Sequence, residues 1–168
     1  MTLLALSLGS NLQREKHIRF ALGALQRQFS RLVISPVYET RAVGFEGPDF
    51  YNLVVVLDTA LDLDALLLKL RQIEMDAGRL RDVKGFQSRN LDIDVLLFGE
   101  ENLRSQGRNI PRSEIEHAAY VLKPLTQVLP KMRHPASGRC FEDLWADFDS
   151  DQPAPRRVEI DLQDFDVN

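Results

Sequence analysis

An α+β fold on a βαββαβ core is what this chain of 168 residues predicts, and three observations carry it. Two apolar runs, residues 3–8 and Leu53-Val54-Val55-Val56-Leu57, have the length and composition of buried strands. Two stretches between the strands repeat apolar residues at helical spacing. A further apolar strand opens at residue 92 on two aspartates, and the polar loop before it marks the end of the second helix.

Each element has its own signals. Residues 3–8 form the first strand, broken by Gly9. Ser10-Asn11-Leu12-Gln13 has the Ser-x-x-Gln form of a capping box, and Ile18, Ala21, Leu22, Leu25 and Phe29 recur helically, so a helix is predicted over 11–29. Arg31 to Glu39 reads as a second strand with Pro36 marking an edge or a bulge. Residues 40–49 hold Gly44, Gly47 and Pro48 and are a loop; residues 50–58 are the third strand. Asp62 caps a second helix with Leu63, Leu66, Leu67, Leu70, Ile73 and Ala77 on its apolar face, ending near Gly78. A polar loop over 80–90 then feeds the fourth strand. This order is the split βαβ arrangement of a ferredoxin-like antiparallel sheet, with the helices on one face and C-terminal additions. The additions are a short strand near 101–106, a helix or turn over 113–122 and a short helix over 140–145. Residues 1–150 make one domain, and 151–168, which holds Pro153 and Pro155, an acidic linker or loosely held tail.

Composition narrows the function. An apolar fraction of 44% suits a globular chain, and no apolar run approaches the roughly 20 residues of a membrane span. The N-terminus lacks a basic stretch before its apolar run, and the lone Cys140 excludes an internal disulfide; a cytoplasmic location is expected. Residues 142–168 carry nine acidic and two basic side chains in a chain of net charge −4, leaving a mildly positive body suited to small anions and not to nucleic acid. The central strands carry no aromatic cluster for base stacking, which disfavours an RNA-binding sheet. No phosphate-binding G-x-x-x-x-G-K-[ST] loop and no G-x-G-x-x-G occur, and His17, His117 and His134 lack zinc-ligand spacing.

The richest stretch is Ser88-Arg89-Asn90-Leu91-Asp92-Ile93-Asp94-Val95. In a strand, residues two apart share a face, so Asp92 and Asp94 point one way while Ile93, Val95 and Leu97 point into the core. An isolated Asp-x-Asp is most often a solvated loop end. Here it follows Lys69 to Arg89, where six basic residues outnumber three acidic ones. Two like charges side by side repel, and a cation offsets the repulsion. Paired carboxylates with open positions suit magnesium, which keeps waters and bridges to phosphate oxygens.

With these residues in place, the chain resembles the 6-hydroxymethyl-7,8-dihydropterin pyrophosphokinase family over nearly its whole length. The resemblance rests on Leu8-Gly9-Ser10-Asn11, Pro48-Asp49-Phe50-Tyr51-Asn52, Ile73-Glu74 with Gly78-Arg79-Leu80-Arg81, Ser88-Arg89 with Asp92-Ile93-Asp94-Val95-Leu96, and Pro111 through Pro124-Leu125. It implies transfer of a diphosphoryl group from ATP to a hydroxymethyl dihydropterin, with release of AMP; a monomer is expected. It further implies two magnesium ions on Asp92 and Asp94, and Arg79 and Arg89 acting on the phosphates. Glu74, Arg81, Val95 and Arg112 fall at the nucleotide. The pterin would stack between Phe50 and Tyr120, with Thr40, Ala42, Val43 and Asn52 at the ring edge. The chain departs from the family pattern at Arg112, where a histidine is usual, at Ala118, where an arginine is usual, and in Gly85-Phe86-Gln87-Ser88-Arg89. Losing a charged hydrogen bond to a developing phosphate charge costs roughly 2–4 kcal/mol. The alternative is therefore a weakly active or inactive paralogue that binds pterin or nucleotide.

Overall fold

The computed structural model describes residues 1–29, 31–42, 44–78, 91–149 and 151–162. Its elements run β1 (Thr2–Ser10), α1 (Arg14–Phe29), β2 (Val33–Ile34), β3 (Val37–Thr40), β4 (Phe50–Thr59), α2 (Leu63–Asp76), β5 (Asp92–Phe98), α3 (Glu114–His117), α4 (Ala119–Val128), α5 (Phe141–Ala146) and β6 (Arg156–Val158). The sheet is antiparallel with spatial order β5-β1-β4-β3-β6, and β2 also pairs with β4. This is the ferredoxin-like α+β arrangement expected from βαββαβ, with β1 and β4 at its centre.

Alternation along the strands divides the core in two. Leu4, Leu6 and Leu8 of β1 pack with Ile18, Leu22 and Leu25 of α1 and with Leu66, Leu70 and Ile73 of α2. On the opposite face Ala5, Val54 and Val56 meet Val121, Leu122 and Leu125 of α4 and Phe141 of α5. The C-terminal additions thus cover the face that the two long helices leave open.

Local chemistry accounts for most boundaries. Asp62 accepts a hydrogen bond from Ala65 N–H at 2.8 Å and so caps α2, and Gly78 follows the helix at φ +85°. The expected second strand is split at Ser35-Pro36, where proline cannot donate to the ladder. Ser35 bridges the break, donating its N–H to Val54 O at 2.9 Å and accepting Val54 N–H on its hydroxyl at 2.8 Å.

Four expectations change. The first helix begins at Arg14 and not at 11: Ser10 stays in β1, its hydroxyl donates to Leu12 O at 3.1 Å, and Gln13 turns the chain at φ +43°. Residues 101–106 hold a 3₁₀ turn at Arg104–Gln106 and not a strand, because Gly107 at φ +77° folds the chain back so that Leu103 N–H reaches Ile110 O. The segment 113–122 is two helices, parted by extended backbone at Ala118 and continuing to Val128. Finally, the described residues 151–162 are more than a tail, since β6 joins the sheet edge with Val37, Tyr38 and Glu39 opposite Val158, Arg157 and Arg156.

Candidate active site

The site is built around β5, an end strand of the sheet. Asp92 stands opposite Gly9 and Asp94 opposite Ser7 on β1, so the two carboxylates share a face as their spacing requires. Ile93 and Val95 turn the other way into the core beneath α1 and α2. Leu97 departs from the expected pattern. The register slips between Ala5 and Leu6, Leu96 becomes the extra residue of a bulge, and Leu97 falls on the carboxylate side in the second core.

A cleft of about 790 Å³ lies between this edge, α2 and the returning segment 108–112. Leu67, Leu70, Arg71 and Glu74 of α2 form one wall, and Asp92, Asp94 and Val95 another. Arg108, Asn109 and Arg112 close it. Glu74 is buried. The returning segment is tied to β5 by Arg112 N–H donating to Leu96 O at 2.9 Å. Arg108 pairs with Asp64 of α2 at 2.6 Å. From the clamped backbone the Arg112 guanidinium reaches two carboxylates, Glu114 through Nε at 3.1 Å and Asp94 through Nη2 at 3.4 Å. Tyr120 of α4 stands in the same charged neighbourhood. Burial raises its pKa first, and Glu114, Asp94 and Asp92 raise it further against the pull of Arg112, so the phenol stays neutral.

A second group lies along the same face of the sheet. Asn52 faces Gly9 on one side and Tyr38 on the other, which puts Asp92, Gly9, Asn52 and Tyr38 in one row across four strands. Phe50 is paired with Thr40 one step along, and Asn52 Nδ2 donates to Thr40 Oγ1 at 2.7 Å. Gly9 keeps the row open, because a Cβ there would stand 3.1 Å from Asn52 Oδ1 and 3.8 Å from the Phe50 ring. The loop after β3 is held to the start of α1 and the turn before it: Asn11 donates to Pro48 O at 3.2 Å, and Arg14 donates to Asp49 O at 3.1 Å while lying over Tyr51 at 3.9 Å.

The expected residues thus fall in two adjoining sets. Glu74, Val95 and Arg112 line the cleft; Thr40, Phe50 and Asn52 lie on the carboxylate face, where Tyr120 joins the charged cluster; and Asp92 and Asp94 belong to both. Ala42 follows Thr40 as a half-buried loop residue. Arg79, Arg81, Arg89 and Val43 lie outside the described residues. Ala118 is buried in the second core beside α4 and offers no charge. Three neighbours were not anticipated. Tyr38 could have been found by alternation from Thr40, and Phe45, edge-on to Phe50 with centroids 6.3 Å apart, by its place in the glycine-rich loop. Nothing local signals Glu114, whose role depends on where Arg112 comes to rest.

Fold and site together define a ferredoxin-like α+β protein with a carboxylate pair at the mouth of an edge cleft. The family model described as 7,8-dihydro-6-hydroxymethylpterin-pyrophosphokinase (HPPK) matches residues 5–130, and the chain belongs to that family. It is 40% identical over 144 residues to a 2-amino-4-hydroxy-6-hydroxymethyldihydropteridine pyrophosphokinase from Pseudomonas aeruginosa, a match that spans 83% of this chain and 88% of the relative. A protein of the same name from Bacillus subtilis is 33% identical over 136 residues, 79% of this chain and 81% of the relative. Among solved structures, the wild-type Plasmodium falciparum HPPK-DHPS with SDX-DHP superposes with a TM-score of 0.66 at 16% identity. That similarity concerns the fold; it covers 87% of this chain and only 43% of the longer one.

Proposed function

We propose that this protein transfers the diphosphoryl group of ATP to 6-hydroxymethyl-7,8-dihydropterin, releasing AMP, as a step of folate biosynthesis. The observation that carries the reading is the Asp92–Asp94 pair standing where the cleft meets the open row at Gly9 and Asn52. Its support is the family membership and the two relatives named for this enzyme.

The residues fit magnesium. Two part-exposed carboxylates on one strand face are hard oxygen donors, and the glycine opposite Asp92 adds no side chain to fill the space. Asp92 and Asp94 would hold the ions, for which we propose a pair. When bound, magnesium neutralises triphosphate charge and lowers the pKa of an attacking hydroxyl. The chain's own contribution is positioning. Glu74 and Val95 shape the nucleotide side of the cleft, and Arg112 brings a guanidinium to the phosphates. Arg79, Arg81 and Arg89 are assigned the remaining phosphate charge. Phe50 and Tyr120 are assigned the pterin faces. Asn52, Thr40 and the backbone at Ala42 and Val43 take its edge, where alternating donors and acceptors require an amide and a hydroxyl. Tyr120 suits this place because its phenol stays neutral beside the carboxylates.

We assign the protein as a monomer that acts on these two small molecules and takes no nucleic acid. Among the described residues no helix is long and apolar enough to cross a membrane. No observation favours a binding-only paralogue, since Arg112 places a cation beside Asp94. Incubation with ATP, magnesium and the hydroxymethyl dihydropterin tests the reading. AMP formed only when pterin is present supports it; ADP, or no nucleotide product, overturns it.

A further inference from the structure

We propose that Arg112 is a resident counter-ion of the carboxylate pair, exchanged for the divalent cation when metal and nucleotide arrive, and that Glu114 is the positioning residue that keeps it in reach. The inference rests on the assignment of Asp92 and Asp94 as the metal-holding pair.

Geometry supports an exchange in place of a fixed ion pair. The guanidinium is a planar fork whose edges serve different partners at once. Its Nε pairs with Glu114 across 3.1 Å, while its Nη2 pairs with Asp94 across a looser 3.4 Å. The contact with Asp94 is thus the one more easily given up. Side-chain exposures of 29% for Arg112, 34% for Asp94 and 31% for Glu114 leave each pair partly screened by water, so breaking one costs little.

The anchor points do not need to move. Arg112 is fixed to β5 by its backbone bond to Leu96 O, and Glu114 begins α3 two residues later. With Nε still beside Glu114, an Nη edge released by Asp94 stays at the cleft that Arg112 and Asp94 both line. There it can take phosphate oxygens in the paired fashion of a guanidinium. Through its pair with Asp94, Arg112 therefore helps to offset the repulsion within the doublet before the cation binds and stabilises phosphate charge afterwards. A lysine could not divide its charge between Glu114 and a second partner with the same geometry.

The test separates two affinities. Binding of manganese alone, read from the free-ion electron paramagnetic resonance signal, and binding of a non-hydrolysable ATP analogue with magnesium, read by calorimetry, are measured on the whole protein. Arg112→Gln should bind manganese alone about two- to fivefold more tightly, as removal of a competing surface ion pair allows. The same variant should bind the nucleotide analogue at least about tenfold more weakly, through loss of a charged hydrogen bond. Opposite signs are the signature, since damage to the fold weakens both. Arg112→Lys should fall between wild type and Arg112→Gln for manganese, and Glu114→Gln should weaken binding of the analogue. Manganese affinity unchanged or lowered in Arg112→Gln, with Arg112→Lys matching wild type, overturns the counter-ion role. Manganese affinity retained in an Asp92→Ala/Asp94→Ala variant instead overturns the metal assignment, and the inference with it.

Discussion

Gly9 lies opposite Asn52 in the β1–β4 ladder, so close that a Cβ at Gly9 would come within 3.1 Å of the Asn52 side-chain oxygen. Gly9 is not among the glycines of positive φ, so the position demands a small residue for space and not for backbone freedom. Gly9→Ala should press on the Asn52 amide, which is held to Thr40 at 2.7 Å, and displace it by a few tenths of an ångström. The expected result is a KM for the pterin raised about three- to tenfold with kcat/KM for ATP little changed, and a larger effect for Gly9→Val. Steady-state kinetics with each substrate varied in turn check this. An effect confined to ATP would place the pterin elsewhere.

What could be read from the chain was mostly what neighbours in sequence decide. The Asp62 cap, the α2 stripe and the shared face of Asp92 and Asp94 depend on residues two to four apart, and each is present as expected. The fate of Leu97 was not legible, because a bulge at Leu96 belongs to the pairing of β5 with β1 and not to β5 alone. Nor was β6: three residues between prolines and acidic side chains become a strand only because the edge of β3 is there to pair with. The same holds within the site. The charged cluster of Arg112, Glu114 and Asp94 forms because the chain returns along β5, a contact between segments that no local pattern encodes.

Asp92 and Asp94 should be separable from stability. Asp92→Ala and Asp94→Ala are each expected to lower the single-turnover rate by at least about 10²–10³-fold, on the scale of removing a group that stabilises transition-state charge. Neither should lower the melting temperature by more than the loss of part-exposed ion pairs allows, since removing one of two like charges also relieves repulsion. In Asp94→Ala the Arg112 guanidinium keeps Glu114 as its partner and is not left unpaired. Rapid-quench measurement of AMP beside calorimetric melting checks both halves. A variant that melts early and is inactive would make the doublet structural.

Glu39 joins the last strand to the pterin side of the site. Its carboxylate takes Arg14 of α1 at 2.8 Å and Arg156 of β6 on its other oxygen, and the hydrogen bonds from Arg156 and then Arg14 hold its pKa below the usual carboxylate value. A depressed folded pKa gives stability that is present above the ordinary carboxylate pKa and lost as pH falls through the folded value. Glu39→Gln should therefore lower the denaturant midpoint at neutral pH and narrow its gap from wild type as pH falls below about 4. Thr40, the partner of Asn52, is the next residue, so a chain ending at residue 154 should also show a pterin KM raised several-fold with little change for ATP. Equal kinetic effects on both substrates would remove the link between β6 and the pterin row.

His134 should set the stability of the protein on the acid side of neutrality. The ring is fully buried, and its Nδ1 accepts the N–H groups of Ala136 and Ser137, each at 3.1 Å. The proton of the neutral ring is therefore on Nε2, which lies 3.3 Å from Glu116 Oε1. Glu116 also takes Arg104 Nη1 at 3.2 Å, and Arg104 Nε donates to Pro111 O at 2.9 Å beside Arg112. Burial pushes the His134 pKa below its ordinary 6.5, Glu116 opposing and Arg104 adding to the shift. A folded pKa lowered in this way means the unfolded chain binds the extra proton first, so stability is full above the ordinary histidine pKa and falls as pH drops through it. The melting temperature should decline between pH 7.5 and 5.5 in the wild type. In His134→Asn, whose side-chain oxygen can still accept the two backbone N–H groups, that decline should flatten. His134→Ala orphans both donors and should cost about 2–3 kcal/mol at pH 7.5. Calorimetric melts at constant ionic strength decide the matter: parallel curves for wild type and His134→Asn would mean that the acid loss arises from other groups.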